Sequence, residues 1–203
     1  MRALFVMLVV LLSGSAAAAD VAAGKTAYAV CAACHGPDGG GNQALNSPRI
    51  AGQEDWYLKR QLEAFRAGIR GTAPGDVAGS QMRPMAMTLA DAAAIDNVVA
   101  YIKTLTAPAA PATLQGNIVT GKQLYATCAA CHGPEAQGNL QLNAPRLAGQ
   151  NDWYLVRQLN NFKSGLRGSQ PKDAFGMQMK PMAGMLANDQ AITDVVAYIH
   201  AFK

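Results

Sequence analysis

The chain contains one stretch of sequence twice. Residues 24–105 align with residues 121–202 without a gap, at a constant offset of 97 residues, and more than half of the paired positions are identical. Because two copies are too few for a stacked repeat array, the duplication predicts two tandem domains of the same fold. Residues 106–120 contain Pro108 and Pro111 and are predicted to form the linker between them.

The amino-terminal residues have the composition of a cleaved secretory signal peptide. Arg2 supplies a positive charge, residues 4–12 form an apolar run, and four alanines at 16–19 give a small-residue cleavage pattern. The run is too short to span a bilayer comfortably, which disfavours a retained membrane anchor. We therefore predict a signal peptide followed by two domains, with boundaries at residues 1–19, 20–108 and 109–203.

Charge is a weak guide to function in this chain. The formal net charge is +4, and half of the residues are hydrophobic. The first predicted domain carries eight basic and eight acidic residues, whereas the second carries eight basic and five acidic residues. Since there is no run of like charge and no basic helix, nucleic-acid binding is not predicted.

Each copy has the same predicted plan of helices. The first helix begins at Gly24 or Gly121, and the second is capped by Asp55 or Asp152 and ends near Gly68 or its counterpart Gly165. A loop with several methionines leads to a final helix. The apolar faces of the last two helices consist of Leu58, Leu62, Phe65, Ile95, Val98, Val99 and Ile102, with matching residues 97 positions later. Because no segment alternates as a strand does, the predicted fold class is all-α.

All four cysteines lie in two identical segments, Cys-Ala-Ala-Cys-His at 31–35 and 128–132. This is the spacing of c-type haem attachment, in which two thiols one helical turn apart bond one haem and the following His is the proximal iron ligand. A zinc site shared by both pairs leaves the two histidines unexplained. Each pair could also be a disulfide or a thioredoxin-like redox centre, or the thiols could be incidental. A thioredoxin motif is expected to follow a strand, which neither copy has.

The motifs therefore predict two covalently bound haem c groups. The residues of the two sites are Cys31, Cys34 and His35 in the first copy, and Cys128, Cys131 and His132 in the second.

Methionines before the final helix are candidates for the second axial ligand. The pair Met82 and Met85 matches Met179 and Met182 in the second copy. A thioether is a soft ligand that favours ferrous iron and raises the reduction potential, as an electron carrier requires. The spacing alone does not choose between the two methionines of a copy.

The duplicated unit resembles class I cytochrome c. The tandem arrangement, together with the segments PR[IL]AGQ, WYL and M-x-P-M-A-x-x-L, is similar to the dihaem cytochrome c4 family over nearly all of the chain that follows the signal peptide. The resemblance implies two tandem class I cytochrome c domains joined by a short Pro/Ala linker. In that family the axial Met lies seven residues before the Leu that precedes the last helix. Counted back from Leu89, this selects Met82 and leaves Met85 to pack at the haem edge. The corresponding residues of the second copy are Leu186, Met179 and Met182.

The resemblance also implies roles for residues that follow the haem motif. The carbonyl groups of Pro48 and Pro145 accept a hydrogen bond from the proximal histidines; the alternative is a simple loop role. Arg49 and Arg146 pair with haem propionates or are exposed to solvent.

Aromatic residues and glycines complete the expected packing. The tandem Trp and Tyr residues at 56–57 and 153–154 lie around the haem, at the domain interface or in an ordinary core. The resemblance further implies that the first and last helices cross at a glycine and an aromatic residue, and Gly24 with Tyr101 and Gly121 with Tyr198 fit that pattern. His200 is expected to be a surface histidine.

If both irons have two protein ligands, neither has an open position for a substrate, and the chain is an electron carrier, not an enzyme. The resemblance implies a periplasmic carrier of a respiratory chain that exchanges electrons with a cytochrome bc complex and a haem-copper terminal oxidase, and it is compatible with peripheral membrane association. One alternative is an electron-relay subunit of a periplasmic dehydrogenase. Another is a dihaem peroxidase, which the matching methionine segments disfavour because such an enzyme needs one displaceable ligand.

Overall fold

A computed structural model describes residues 18–202, so the predicted signal peptide lies almost wholly outside the described residues. Within this range the chain forms four helices in each half. The first half contains α1 (Val21–His35), α2 (Asp55–Arg66), α3 (Val77–Met87) and α4 (Ala92–Thr104), and the second contains α5 (Ile118–His132), α6 (Asp152–Ser164), α7 (Ala174–Gly184) and α8 (Asp189–His200). Extended pairing in the described part of the chain is limited to two isolated bridges. The all-α prediction is confirmed.

The methionine segments are helices α3 and α7, so the predicted loops are wrong. Each helix is started by an aspartate: the Asp76 carboxylate accepts a hydrogen bond from the Gly79 amide at 3.0 Å, and Asp173 does the same for Gly176. Pro84 lies inside α3, but the helix ends within one turn after it. Because few backbone bonds remain to be lost beyond the proline, a capped three-turn helix tolerates it.

Helices α1 and α5 begin three residues earlier than predicted. The Asp20 carboxylate accepts hydrogen bonds from the amides of Ala22 and Ala23 at 2.8 and 3.0 Å. Asn117 caps α5 in the same way. The polar side chain at the cap therefore sets the start of the helix, ahead of the glycine. Residues 118–120, which we predicted to be linker, belong to α5.

The aspartates that we predicted to cap the second helices are instead their first helical residues. Glu54 and Asn151 occupy the cap positions, and neither side chain makes a capping hydrogen bond. The predicted ends near Gly68 and Gly165 lie within two residues of the observed ends of α2 and α6.

Each half has a core of its own, built around its last helix. The predicted apolar face of α4 is buried, and Ile95 is fully enclosed, as is Ile192 in α8. Helix α1 crosses α4 closely at Gly24, where a Cβ atom would lie 2.0 Å from the carbonyl oxygen of Asn97 and 3.0 Å from the Tyr101 Cβ atom. The predicted contact between Gly24 and Tyr101 is therefore present, and it fixes the helix that ends in the cysteine motif.

The two halves contact each other through reciprocal hydrogen bonds. The Gln53 side chain donates to the Arg146 carbonyl at 3.1 Å, and the Gln150 side chain donates to the Arg49 carbonyl at 2.9 Å. A second such exchange joins guanidinium groups to loop carbonyls: Arg60 to Asn143 at 3.1 Å, and Arg157 to Asn46 at 2.9 Å. Matched residues of the repeat thus meet across an approximate two-fold relation.

No single helix among residues 18–202 is long and apolar enough to cross a membrane. Helices α3 and α4 reach that length and composition only as a pair, with a bend of 111° between them.

Candidate haem-binding sites

The cysteines of each motif lie on the last turn of α1 or α5. Cys31 is half-buried and Cys34 is exposed, and the second half repeats this arrangement at Cys128 and Cys131. The helix therefore presents two thiols one turn apart, as attachment to one haem requires. The described residues contain no group of three or more His, Cys, Asp or Glu side chains placed to hold a metal ion.

The histidine of each motif is buried and oriented by a backbone carbonyl. His35 Nδ1 lies 2.8 Å from the Pro48 oxygen, and His132 Nδ1 lies 2.8 Å from the Pro145 oxygen. Because a carbonyl only accepts, Nδ1 carries the proton and the Nε2 lone pair is available to a metal. Burial lowers the pKa of both histidines, although the bond to the proline carbonyl opposes this effect. The neutral form, which ligates iron, is therefore favoured.

A tyrosine holds the turn that follows each histidine. The Tyr28 hydroxyl donates to the Gly36 carbonyl at 2.7 Å, and Tyr125 donates to Gly133 at 2.7 Å. Gly36 has φ of +81°, which favours glycine at this position. Burial raises the pKa of Tyr28 to about 12 and also raises that of Tyr125. Both phenols therefore stay protonated donors at neutral pH.

The stability of the protein is expected to fall as the pH rises from about 10, the ordinary tyrosine pKa, towards 12. A group whose pKa is raised by folding stabilises the fold below its unfolded-state pKa and loses this effect as the pH approaches the folded value. Tyr28→Phe is expected to flatten this decline and to lower stability at pH 8 by about 1 kcal/mol, because one hydrogen bond is lost. Urea unfolding followed by circular dichroism at several pH values measures both effects. An unchanged alkaline slope in Tyr28→Phe and Tyr125→Phe would contradict this assignment.

The methionines proposed as axial ligands lie on the helices that pack against α2 and α6. Met82 is half-buried, whereas Met85 is 38% exposed; Met179 and Met182 are both half-buried. Since the two methionines of a pair lie one helical turn apart, both remain candidates on geometry. The choice of Met82 and Met179 stays a prediction.

Arg49 contacts the linker. Its guanidinium donates to the carbonyls of Ala51 and Ala107 at 3.0 Å each, and to the carbonyl of Pro108. Arg146 donates to the Ala148 carbonyl at 3.1 Å. The proposed pairing of Arg49 and Arg146 with haem propionates stays a prediction, while the contacts described here tie Arg49 to the start of the linker.

A second set of arginines, which the sequence analysis did not single out, lies between the halves. Arg70 donates to Gln61 Oε1 at 2.6 Å, and Arg167 donates to Gln158 Oε1 at 2.8 Å. Arg167 also crosses to the first half, where it reaches Gln61 Oε1 at 2.9 Å and the Tyr57 hydroxyl at 3.1 Å. Tyr57 therefore lies at the interface between the halves, one of the places expected for it.

Arg60 and Arg157, which are half-buried, extend this group of interface cations. Arg60 lies over the Trp56 ring at 5.0 Å, and Arg157 lies over the Trp153 ring at 5.3 Å. In residues 18–202 none of the four interface guanidinium groups donates to a carboxylate, and the Nε atoms of Arg157 and Arg167 are buried without a partner. Buried guanidinium groups favour carboxylate partners, which the propionates of haem c supply. The residues present therefore fit that group.

The interface arginines did carry a signal in the sequence. Arg60 and Arg70 are identical to their counterparts, whereas the charges around them change between the copies, with Lys59 replaced by Val156 and Glu63 replaced by Asn160.

Comparison with known proteins decides the family. The sequence model of the cytochrome c family matches twice, at residues 21–106 and 118–203. Cytochrome c4 of Azotobacter vinelandii is 35% identical to this chain, and the alignment covers 91% of each protein. The chain belongs to the cytochrome c4 family.

Other similarities agree with membership of the cytochrome c4 family. The crystal structure of reduced recombinant cytochrome c4 from Pseudomonas stutzeri superposes with a TM-score of 0.71 at 28% identity, covering 92% of this chain and all of that one. A thiosulfate dehydrogenase electron acceptor of Stutzerimonas stutzeri is 33% identical, over 75% of this chain and 72% of its own. As a cytochrome c4 family member with two intact CxxCH motifs, the chain binds two haem c groups covalently and transfers electrons.

Proposed function

We propose that this protein is a periplasmic electron carrier of a respiratory chain. Each of its two haem irons would have two ligands from the protein and no open coordination position. Haem iron supplies one-electron chemistry by alternating between the ferric and ferrous states. The observation that carries the proposal is the repetition of one complete site: a buried His fixed by a Pro carbonyl, and a Met-bearing helix, in each half. His35 and Met82 would hold the iron of the first haem, and His132 and Met179 would hold the iron of the second.

The polypeptide would bind the haems, orient the iron ligands and exclude substrates from the iron. The Pro48 and Pro145 carbonyls fix the imidazole rings, and the interface arginines would neutralise the propionates. Two ligands from the chain leave no iron position for a substrate, which is why we propose a carrier and no enzymatic activity. The proposed donors and acceptors are a cytochrome bc complex and a haem-copper terminal oxidase, through small and transient interfaces.

Cleavage before Asp20, which we propose together with export, would leave α1 with its capping residue. Asp20 caps α1, and its backbone amide donates to the Asn97 side chain at 2.7 Å. A chain that begins at Asp20 would thus keep its first residue tied to α4. Amino-terminal sequencing of protein from the periplasmic fraction tests this proposal, and a mature chain that begins elsewhere or stays cytoplasmic would overturn it.

A relay subunit of a dehydrogenase is the second candidate. Its support is the similarity to the electron acceptor named above. Spectroscopy combined with a redox titration of the purified protein should show two low-spin haems at positive potential, and a persistent high-spin haem would favour an enzyme instead. Stoichiometric co-purification with a dehydrogenase would favour the relay subunit over the freely diffusing carrier.

Met82→Ala is expected to remove the absorption band of the Met-to-iron bond from one haem of the two, so that the band falls to about half its amplitude. Met85→Ala, one turn away on α3, is the matched control and is expected to retain the full band. Visible spectra of the two oxidised variants make the measurement. Loss of the band in Met85→Ala alone would reassign the ligand, and Met179→Ala with Met182→Ala repeats the test in the second half.

A further inference from the structure

A buried carboxylate of the second half holds the linker. Asp152, the first residue of α6, is 1% exposed. Its Oδ2 atom accepts hydrogen bonds from the backbone amides of Thr113 and Leu114 at 2.6 and 3.0 Å. Its Oδ1 atom accepts from the Thr113 hydroxyl at 2.6 Å and from the Trp153 amide at 2.7 Å. Both oxygens are therefore fully used as acceptors.

Among residues 18–202 these donors stabilise the carboxylate without an ion pair to a cation. Burial raises the pKa of Asp152, but the four hydrogen bonds outweigh burial and hold the pKa below its ordinary value. The side chain of Leu114 packs against the core of the second half. The linker is thus attached at this point by both a charged acceptor and an apolar contact.

Asp55, the matched residue of the first half, makes no hydrogen bond to the linker among the described residues. Asp55 is exposed, and its carboxylate accepts a hydrogen bond from the Trp56 amide alone within the described chain. Beside it, Lys59 pairs with Asp96 at 2.6 Å, whereas the second half has Val156 at the position of Lys59. The same aspartate in the same helix therefore makes the linker contact in one copy only, so the contact is not a requirement of the repeated fold.

The other end of the linker is held by the first half. The Arg49 guanidinium binds the carbonyls of Ala107 and Pro108. Only residues 109–112 separate that contact from the one at Thr113. We propose that Asp152 is a clasp, a side chain that holds one end of the linker while Arg49 holds the other. Together the two residues fix how the second half is attached to the first. This proposal is independent of which proteins exchange electrons with the chain.

Asp152→Asn in the haem-loaded full chain tests the clasp. An Asn side chain has one acceptor oxygen, so its NH₂ group faces donors that it cannot satisfy. Thermolysin cleaves before Leu and therefore reports opening at the Thr113–Leu114 bond. We expect cleavage at this bond to be at least about tenfold faster in Asp152→Asn than in the unaltered protein, as loss of hydrogen bonds to a charged acceptor predicts. Mass spectrometry of the two fragments identifies the site.

Asp55→Asn is the matched control and is expected to leave linker cleavage unchanged. Equal cleavage rates in the Asp152→Asn variant and the unaltered protein, or equal acceleration by the two substitutions, would overturn the proposal. Thr113→Ala keeps the carboxylate and removes one donor, so we expect a smaller acceleration and faster hydrogen exchange at Leu114. If Asp152→Asn does not fold with two haems, Thr113→Ala decides, and unaltered cleavage and exchange in that variant would overturn the clasp.

Discussion

Replacing Cys128 and Cys131 together by Ser is expected to yield a chain with one haem instead of two. Each thioether to the haem requires one of these thiols, and a serine hydroxyl does not form it. The first half is expected to keep its haem because it has its own core and its own His35–Pro48 hydrogen bond. Haem content per chain, from the pyridine haemochrome absorbance and the intact mass, measures the result.

The matched variant with Ser at positions 31 and 34 is the control for this experiment. It is expected to lose the other haem and to give the same stoichiometry of one. Two covalent haems in either variant would contradict the assignment of the attachment sites. Chains with no haem at all would show that the halves do not assemble independently, contrary to the two separate cores.

Gly121→Ala is expected to lower the free energy of unfolding of the second half by about 1–3 kcal/mol or more. A Cβ atom at this position would lie 2.0 Å from the Asp194 carbonyl oxygen and 2.9 Å from the Tyr198 Cβ atom. Both are parts of helix α8, so α5 and α8 must separate. Because α5 also carries the second cysteine motif, the haem environment is expected to change with it. Urea unfolding followed by circular dichroism, together with visible spectra, gives the two measurements.

Gly184→Ala provides the control for an added methyl group. A Cβ atom there would have nothing within 4 Å, and we expect stability to stay within about 0.5 kcal/mol of the unaltered protein. If Gly121→Ala unfolded at the same urea concentration as Gly184→Ala, the close crossing of α5 and α8 would be wrong. Gly24→Ala is expected to have a similar effect in the first half, since the distance to Asn97 is also 2.0 Å.

The local sequence predicts most of the helices of this fold but is a poorer guide to where each helix begins and ends. The apolar face of α4 was predictable because residues such as Ile95 and Val98 recur at helical spacing, which places them on one buried face. Helix α3 was missed because its glycine and Pro84 favour a loop, while the capping bond from Gly79 to Asp76 is visible only in three dimensions. Helices α1 and α5 start earlier than their glycines predict because the polar residues Asp20 and Asn117 cap them.

Matched residues with identical neighbours in sequence show which contacts the local sequence does not determine. Asp55 and Asp152 stand before the same Trp-Tyr-Leu segment, yet one is exposed and the other is enclosed by the linker. Likewise, Arg70 and Arg167 pair with glutamines through contacts that join the two halves. Such partners are distant along the chain, so periodicity and capping patterns do not predict them. The proline carbonyl that orients His35 was expected from family resemblance and is present in the structure.

The reciprocal hydrogen bonds of Gln53 and Gln150 affect how the two halves can change by mutation. In a dimer of identical subunits every mutation is made twice, so both sides of the interface change together. Joining the subunits in one chain removes that constraint. Asn151 already accepts the Arg49 amide at 2.6 Å, whereas its counterpart Glu54 binds the Trp56 indole instead. Matched positions of the two copies therefore have different partners, and the surroundings of each haem site can change independently of the other.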